Sequence, residues 1–256
     1  MTPPLRYEID QDQVAVLTIN RPSVRNALSW EAMEEFAAIL QKIKAENTLH
    51  TLILTGEGKA FCAGGDLFEL HPFNSPADGE RLAKLMADTL ALLADLPFPV
   101  IAAMEGPAIG GGAEIALACD LRVMSQSARI GFPQIRLALI PTWGGMRRLL
   151  ELVGYARAFA LLSSGELLGS QEANELGLIQ HIVPDGQALE AAQSMAKEFS
   201  TKDQAAMRAL KTVLRAHLTL TAPEATKLER SFFADLWSAE AHIEASSKFI
   251  EGQQPS

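Results

Sequence analysis

The 256-residue chain has only two cysteines, Cys62 and Cys119, which are far apart and form no CxxC pair. That excludes a disulfide framework and fits free thiols in a reducing compartment, so the cytoplasm is the expected location. Its five histidines are scattered, with no HxH or HExxH spacing, and no metal site is expected. No segment offers the roughly 18 consecutive apolar residues of a membrane span. The opening MTPPLRYEID lacks the apolar stretch of a secretory signal. Lys and Arg form no basic run, and a formal net charge of −9 argues against nucleic acid or an anionic membrane as partner.

The remaining composition, 48% hydrophobic and 21% charged, is that of a folded globular protein. Its length suits one large α/β domain, with no internal repeat or low-complexity linker. VAVLTIN at 14–20, TLILTG from 51 and PVIAAM from 99 read as strands. Between the first two, Met33, Phe36, Ala37, Leu40 and Ile43 recur at helical spacing behind a Ser29 cap. This strand, helix, strand order implies a buried, mostly parallel sheet. A second helical pattern at 80–94 ends at the PFP of 97–99, and GLIQHIVP at 177–184 reads as a last short strand. Beyond it, helices are expected near 188–199, 202–217 and 223–236, with a weaker one from about 240.

Two glycine-containing turns, FCAGGD at 61–66 and GPAIGGGAEIALACD at 106–120, follow apolar strands. Each would set backbone N–H groups at the end of a sheet, although either could be simply a tight turn. The second is not a dinucleotide fingerprint, because Ile115 stands where the third glycine belongs, nor a P-loop, because no GK[ST] follows. Gly110 to Gly112 lead into a helix with Glu114 in its first turn, so free N–H donors and a carboxylate would share one helix start. Such donors suit a developing oxyanion and such a carboxylate suits proton transfer. Spacing alone leaves the alternative open, a helix acid that serves only the macrodipole.

INRPSVRNALSWEAMEEF, ILTGEGKAFCAGGDLFEL, PVIAAMEGPAIGGGAEIALACDLRV, IPTWGGMRRLLELVG and SQEANELGLIQHIVP, in that order, resemble the crotonase superfamily, the enoyl-CoA hydratase/isomerase family. The resemblance covers roughly residues 7–200 and, weakly, the helical tail. It implies a spiral of ββα units, with an acyl-CoA-binding core over 1–200 and a helical trimerisation region over 201–256. A homotrimer or a dimer of trimers is the implied assembly. Coenzyme A enters as part of the substrate, with no separate cofactor. The thioester oxygen is implied to lie between the N–H groups of Ala63 and Gly111. CoA contacts map to Arg25, Ala27, Leu28, Ala63, Gly65, Asp66 and Leu67.

Hydratases of the family use two glutamates. The first matches Glu114; the second falls on Gln134, in IGFPQIRLALIPTWGG, where relatives commonly read GxPE. A glutamine can orient water but cannot exchange a proton near neutral pH. Relatives with an acid or tyrosine after the proline of the IP segment would need it at Thr142. The decarboxylase-type histidine near the first oxyanion donor is replaced by Asp66. The basic tail that often helps bind CoA is replaced by FIEGQQPS, with Gly252 and Gln253; Lys248 could stand in or be a solvated helix lysine. Trp143 and Phe132 could narrow the acyl pocket or be plain core, and Arg136 could meet a substrate carboxylate or face solvent.

The expected activity is therefore hydration of a 2-enoyl-CoA with Glu114 as the sole glutamate base and Gln134 orienting water. The alternatives are other enolate chemistry, decarboxylation or carbon–carbon cleavage, or an acyl-CoA-binding protein that has lost turnover.

Overall fold

The computed structural model describes residues 3–252. The chain begins with β1 (Leu5–Ile9), β2 (Val14–Ile19), α1 (Trp30–Ala45) and β3 (Thr51–Gly56). Next come α2 (Leu67–Leu70), α3 (Pro76–Ala94), β4 (Val100–Met104), β5 (Ala108–Ile109) and α4 (Gly111–Ala118). The middle holds β6 (Leu121–Ser125), β7 (Arg129–Gly131), α5 (Gly145–Val153), α6 (Tyr155–Ser164), β8 (Leu167–Gly169), α7 (Ser170–Glu175) and β9 (His181–Val183). Four helices close it: α8 (Ala188–Ser200), α9 (Gln204–Thr219), α10 (Ala222–Trp237) and α11 (Glu240–Gly252).

The main sheet runs β1-β2-β3-β4-β6-β9, parallel throughout except for the antiparallel β1–β2 edge. Its inner strands are buried on both faces, which is why VAVLTI, TLILTG and VIAAM are continuously apolar. On one face α1 and α3 contribute Phe36, Leu40, Met86 and Leu90 to the large core. The other face is covered by α8 through the small residues Ala188, Ala192 and Ala196, packed on Ile53, Ile101 and Val123. A smaller sheet, β5-β7-β8, lies beside the glycine turns. Isolated bridges Leu28↔Gly65 and Cys62↔Ala108 extend this pairing into the first glycine turn. The layout is mixed α/β with a C-terminal helical region, as the resemblance to the crotonase superfamily implies.

Several boundaries move for local reasons. The helix expected at 80–94 starts at Pro76, because Ser75 and Asp78 form a capping box. The expected strand at 177–184 contracts to three residues, because Gly177 takes a left-handed turn at φ 75°. The edge strand β1 was not anticipated, and Leu5 is its one buried residue. The C-terminal helices fall within two residues of expectation. They are not detached from the core: Lys211 donates to the Phe98 carbonyl at 2.8 Å and pairs with Asp120 at 2.6 Å. Gly252 ends α11, and Gln253 lies outside the described residues. Among the described residues no helix is long and apolar enough to cross a membrane.

Candidate active site

All eight residues of α4 are buried, Glu114 included at 2% exposure. The helix starts at Gly110, whose φ of 60° and ψ of −119° favour glycine, and it stops where Arg122 gathers its last carbonyls. Arg122 donates to Cys119 at 2.7 Å and to Ala116 at 3.4 Å, and its Nε reaches Leu178. The close packing at the other end is equally strict: a Cβ on Gly112 would sit 2.0 Å from the Cys62 carbonyl oxygen. Those glycines press α4 onto the 61–66 segment, bringing the two glycine turns of the sequence together.

The 61–66 segment is held on its far side by residues 25–28. Arg25 and Asn26 are both left-handed, at φ 56° and 59°, a conformation that is uncommon outside glycine. The fully buried Asn26 side chain holds them there. It donates to the Glu57 and Ala60 carbonyls at 3.0 and 2.6 Å, and accepts the Arg21 N–H at 2.9 Å. Sequence reasoning missed Asn26; its signal was only that Asn tolerates left-handed backbone.

This arrangement corrects one assignment. The Ala63 N–H, implied by the resemblance as the first oxyanion donor, donates instead to the Arg25 carbonyl at 3.1 Å. Leu28 donates to Gly64 at 2.8 Å and accepts from Asp66 at 2.9 Å, so Gly64 and Asp66 face the 25–28 segment. These two bonds make Gly65 the parallel bridge partner of Leu28, and a residue in that position turns its own N–H away from the partner segment. Gly65, between them, faces the other way. Among the described residues neither the Gly65 N–H nor the Gly111 N–H has an acceptor. Both glycines line a cavity of about 410 Å³ together with Ala63, Leu67, Glu114, Gln134 and Trp143.

The other positions expected to meet CoA divide. Arg25 is exposed and Leu67 is 55% exposed at the cavity, both reachable by a ligand. Ala27 and Leu28 are buried, and Leu28 has both its backbone groups engaged by the Gly64–Asp66 segment. Asp66 is 4% exposed and its carboxylate pairs with Arg21 at 3.0 Å. Leu28 and Asp66 thus support the donor segment. Arg136 lines the cavity wall, with its Nε close to Gly165, the residue capping α6.

Glu114 is the only acid lining the cavity among the described residues. Its Oε2 accepts the N–H groups of Trp143 and Gly145, each at 2.8 Å. Its Oε1 accepts from the Gln134 amide nitrogen at 3.2 Å. Burial pushes its pKa up to about 7, against the lowering effect of the Gly145, Trp143 and Thr142 amides and the Arg148 charge. Gly145 has to be glycine here, since a Cβ would fall 2.4 Å from the Glu114 side chain. Gln134 has its own Oε1 buried without a partner among the described residues. Arg148 braces the supporting turn, donating to the carbonyls of Trp143 at 3.3 Å and Leu90 at 2.9 Å.

A cavity that joins two free backbone donors to one carboxyl titrating near neutrality can stabilise an oxyanion and move a proton beside it. Comparison with known proteins identifies the family. A family model described as enoyl-CoA hydratase/isomerase matches residues 10–256. The chain belongs to the enoyl-CoA hydratase/isomerase family. Members of that family are enzymes, and an acyl-CoA substrate is consistent with it. The chain is 33% identical over 242 residues to a short-chain-enoyl-CoA hydratase of Clostridium acetobutylicum, covering 94% of this chain and 92% of that one. It is also 32% identical over 243 residues to an ethylmalonyl-CoA decarboxylase of Danio rerio, covering 93% and 80%. The crystal structure of an enoyl-CoA hydratase from Bacillus anthracis superposes with a TM-score of 0.92 at 32% identity, over 99% and 98% of the two chains. Family membership thus spans more than one reaction, and the residues of the site must choose.

Proposed function

We propose that the protein adds water to a 2-enoyl-CoA, with the thioester oxygen held by the N–H groups of Gly65 and Gly111 and with Glu114 as the only proton carrier. The observation that carries this reading is the state of Glu114, a buried carboxyl poised near pH 7 whose Oε1 faces Gln134. Gln134 gives its NH₂ to that oxygen and so orients the carboxyl at the cavity, where the reacting water binds.

The ionised Glu114 takes a proton from this water as the water oxygen bonds to C3 of the substrate. The electron pair of the C2–C3 double bond moves toward the thioester oxygen, where the two donors meet the growing charge. Protonated Glu114 then returns the same proton to C2. Hydroxyl ends on C3 and hydrogen on C2, and the carboxylate is restored. A carboxyl with an ordinary low pKa would hold the proton too briefly for the second transfer, whereas one near 7 can act in both directions. Coenzyme A belongs to the substrate, and no separate cofactor is assigned.

The single acid also favours one second reading, protonation at C2 of an enolate left by decarboxylation or carbon–carbon cleavage, which needs one proton donor and no water. Steady-state assays on crotonyl-CoA beside ethylmalonyl-CoA separate the two. Hydration of crotonyl-CoA supports the first; its absence, with carbon dioxide released from the carboxylated substrate, overturns it. Tight acyl-CoA binding with neither reaction would leave a binding protein.

Assembly through the C-terminal helices fits the exposed apolar side chains there, among them Leu214 at 59%, Phe233 at 63%, Trp237 at 61% and Phe249 at 68%. We assign them to a homotrimer or a dimer of trimers. Light scattering on the purified protein tests this, and a monomer at micromolar concentration overturns it.

A further inference from the structure

We infer that the Trp143 indole is a fixed wall that limits the acyl group, so that the site takes short acyl-CoA thioesters and excludes long ones. The inference rests on the reading of this cavity as the acyl-CoA site, and it concerns which acyl groups fit there.

The ring lies against both oxyanion donors. A Cβ built on Gly111 would come 2.2 Å from Cζ3, 2.5 Å from Cη2 and 2.7 Å from Cε3 of Trp143. A Cβ on Gly65 would lie 3.9 Å from Cζ2 and 2.8 Å from the Leu70 side chain. The benzo edge of the indole therefore spans the two glycines whose N–H groups are free. A thioester oxygen within about 2.9 Å of both N–H groups puts the first acyl carbons beside that edge.

The wall is also immobile. Trp143 is 5% exposed, its N–H is given to Glu114 Oε2 at 2.8 Å, and its carbonyl accepts from Arg148 at 3.3 Å. These two bonds fix the backbone at residue 143, and close packing around the buried ring leaves it little room to turn. The cavity is open at Leu137, Leu139 and Ile140, exposed by 54%, 56% and 60%, and closed at Trp143 and Leu70, exposed by 5% and 8%. A longer chain running toward the closed end meets the indole.

Saturated acyl-CoA thioesters test the fit without any reaction. Calorimetry would compare butyryl-, hexanoyl-, octanoyl- and decanoyl-CoA on wild type, Trp143→Ala and Trp143→Phe. A methylene that finds an apolar groove strengthens binding about fourfold. In wild type the affinity is expected to stop rising by hexanoyl-CoA and then to fall. In Trp143→Ala octanoyl-CoA should bind at least tenfold more tightly than butyryl-CoA, with Trp143→Phe between the two. Wild-type affinity that climbs steadily to decanoyl-CoA would overturn the inference, as the chain would then leave through the open side. So would profiles that are the same in all three proteins. Failure to bind any thioester would remove the acyl-CoA reading and this inference together. Short-chain binding without hydration would remove only the proposed reaction.

Discussion

Gln134 donates its amide to Glu114 Oε1 at 3.2 Å, while its own oxygen is buried with no partner among the described residues. The amide thus completes the carboxylate's hydrogen bonding and orients it, and it has no proton to give near neutral pH. Gln134→Ala should lower kcat for crotonyl-CoA by about 10-fold or more, by loss of the amide that orients Glu114. Gln134→Glu should raise kcat, because a second carboxyl can share the proton transfers. Assays that follow the loss of the enoyl thioester on both variants check this; an alanine variant as fast as wild type removes Gln134 from the mechanism.

The pH dependence follows from a base that must be ionised. With the Glu114 pKa pushed up to about 7 by burial, kcat/KM should rise with pH below 7 and level off above it. A profile flat from pH 5.5 to 8 would show that Glu114 does not titrate in the free enzyme.

Replacing Glu114 separates activity from stability. Glu114→Gln should lower kcat by at least about 10²-fold, the usual range for a general base. The same change should stabilise the fold at alkaline pH. A raised carboxyl pKa means that the unfolded chain loses its proton first, near 4.5, while the native state keeps it to about 7. The native state then binds more protons across that window, so wild-type stability falls as pH rises through it. Glutamine has no such term, and the variant should gain about 1–3 kcal/mol on wild type between pH 4.5 and 7.5. Urea midpoints measured at both pH values check the sign, and an unchanging difference contradicts it.

The two donor glycines should respond unequally to a methyl group. At Gly111 a Cβ meets the rigid indole of Trp143 at 2.2 Å, whereas at Gly65 it meets the end of the Leu70 side chain at 2.8 Å. Gly111→Ala should lower kcat by about 10²-fold or more, comparable to loss of an oxyanion donor. Gly65→Ala should cost much less, since a leucine can turn aside. Equal losses in two variants with native circular dichroism would place the indole elsewhere.

Arg148 acts on Glu114 through the turn at 143–145 and through its charge. The charged groups acting on it are Arg215, Glu114 and Glu151. Arg148→Met should move the acid limb of kcat/KM to higher pH, because a positive charge that favours the carboxylate is gone. Arg148→Lys should return part of the shift. A limb that stays in place in the methionine variant leaves Arg148 a purely structural role.

Much of this was legible in the sequence where the signal is local. The Ser29 cap, the apolar faces of α1 and α3 and the continuous strands β2 to β4 follow from side-chain period and propensity, and they appear with small boundary shifts. Edge strand β1 carried a readable alternation, Leu5, Tyr7 and Ile9 against Arg6 and Glu8, too short to stand out. Helix α4 had no amphipathic pattern because it has no exposed face. The first donor was displaced from Ala63 to Gly65 for a different reason. Which N–H is free depends on what Arg25 and Leu28 have already accepted, and that pairing joins segments far apart in the chain. The parts played by Asn26 and Arg148 were invisible for the same cause, whereas Trp143 could be named beside the acyl pocket but not placed against the glycines.

The close fit of α4 against the 61–66 segment bears on how the protein reaches its working state. Glu114 finds its hydrogen-bond partners 20, 29 and 31 residues further along, and the donor segment is pinned from residues 25–28. None of these contacts can form until several loops of chain have closed, which makes them late and entropically demanding events in folding. The glycines at 64, 65, 110, 111 and 112 contribute no side-chain attraction of their own to draw the turns together. During refolding, native secondary structure should therefore precede recovered turnover, and a nascent chain released before residue 143 would lack every group that anchors Glu114 Oε2.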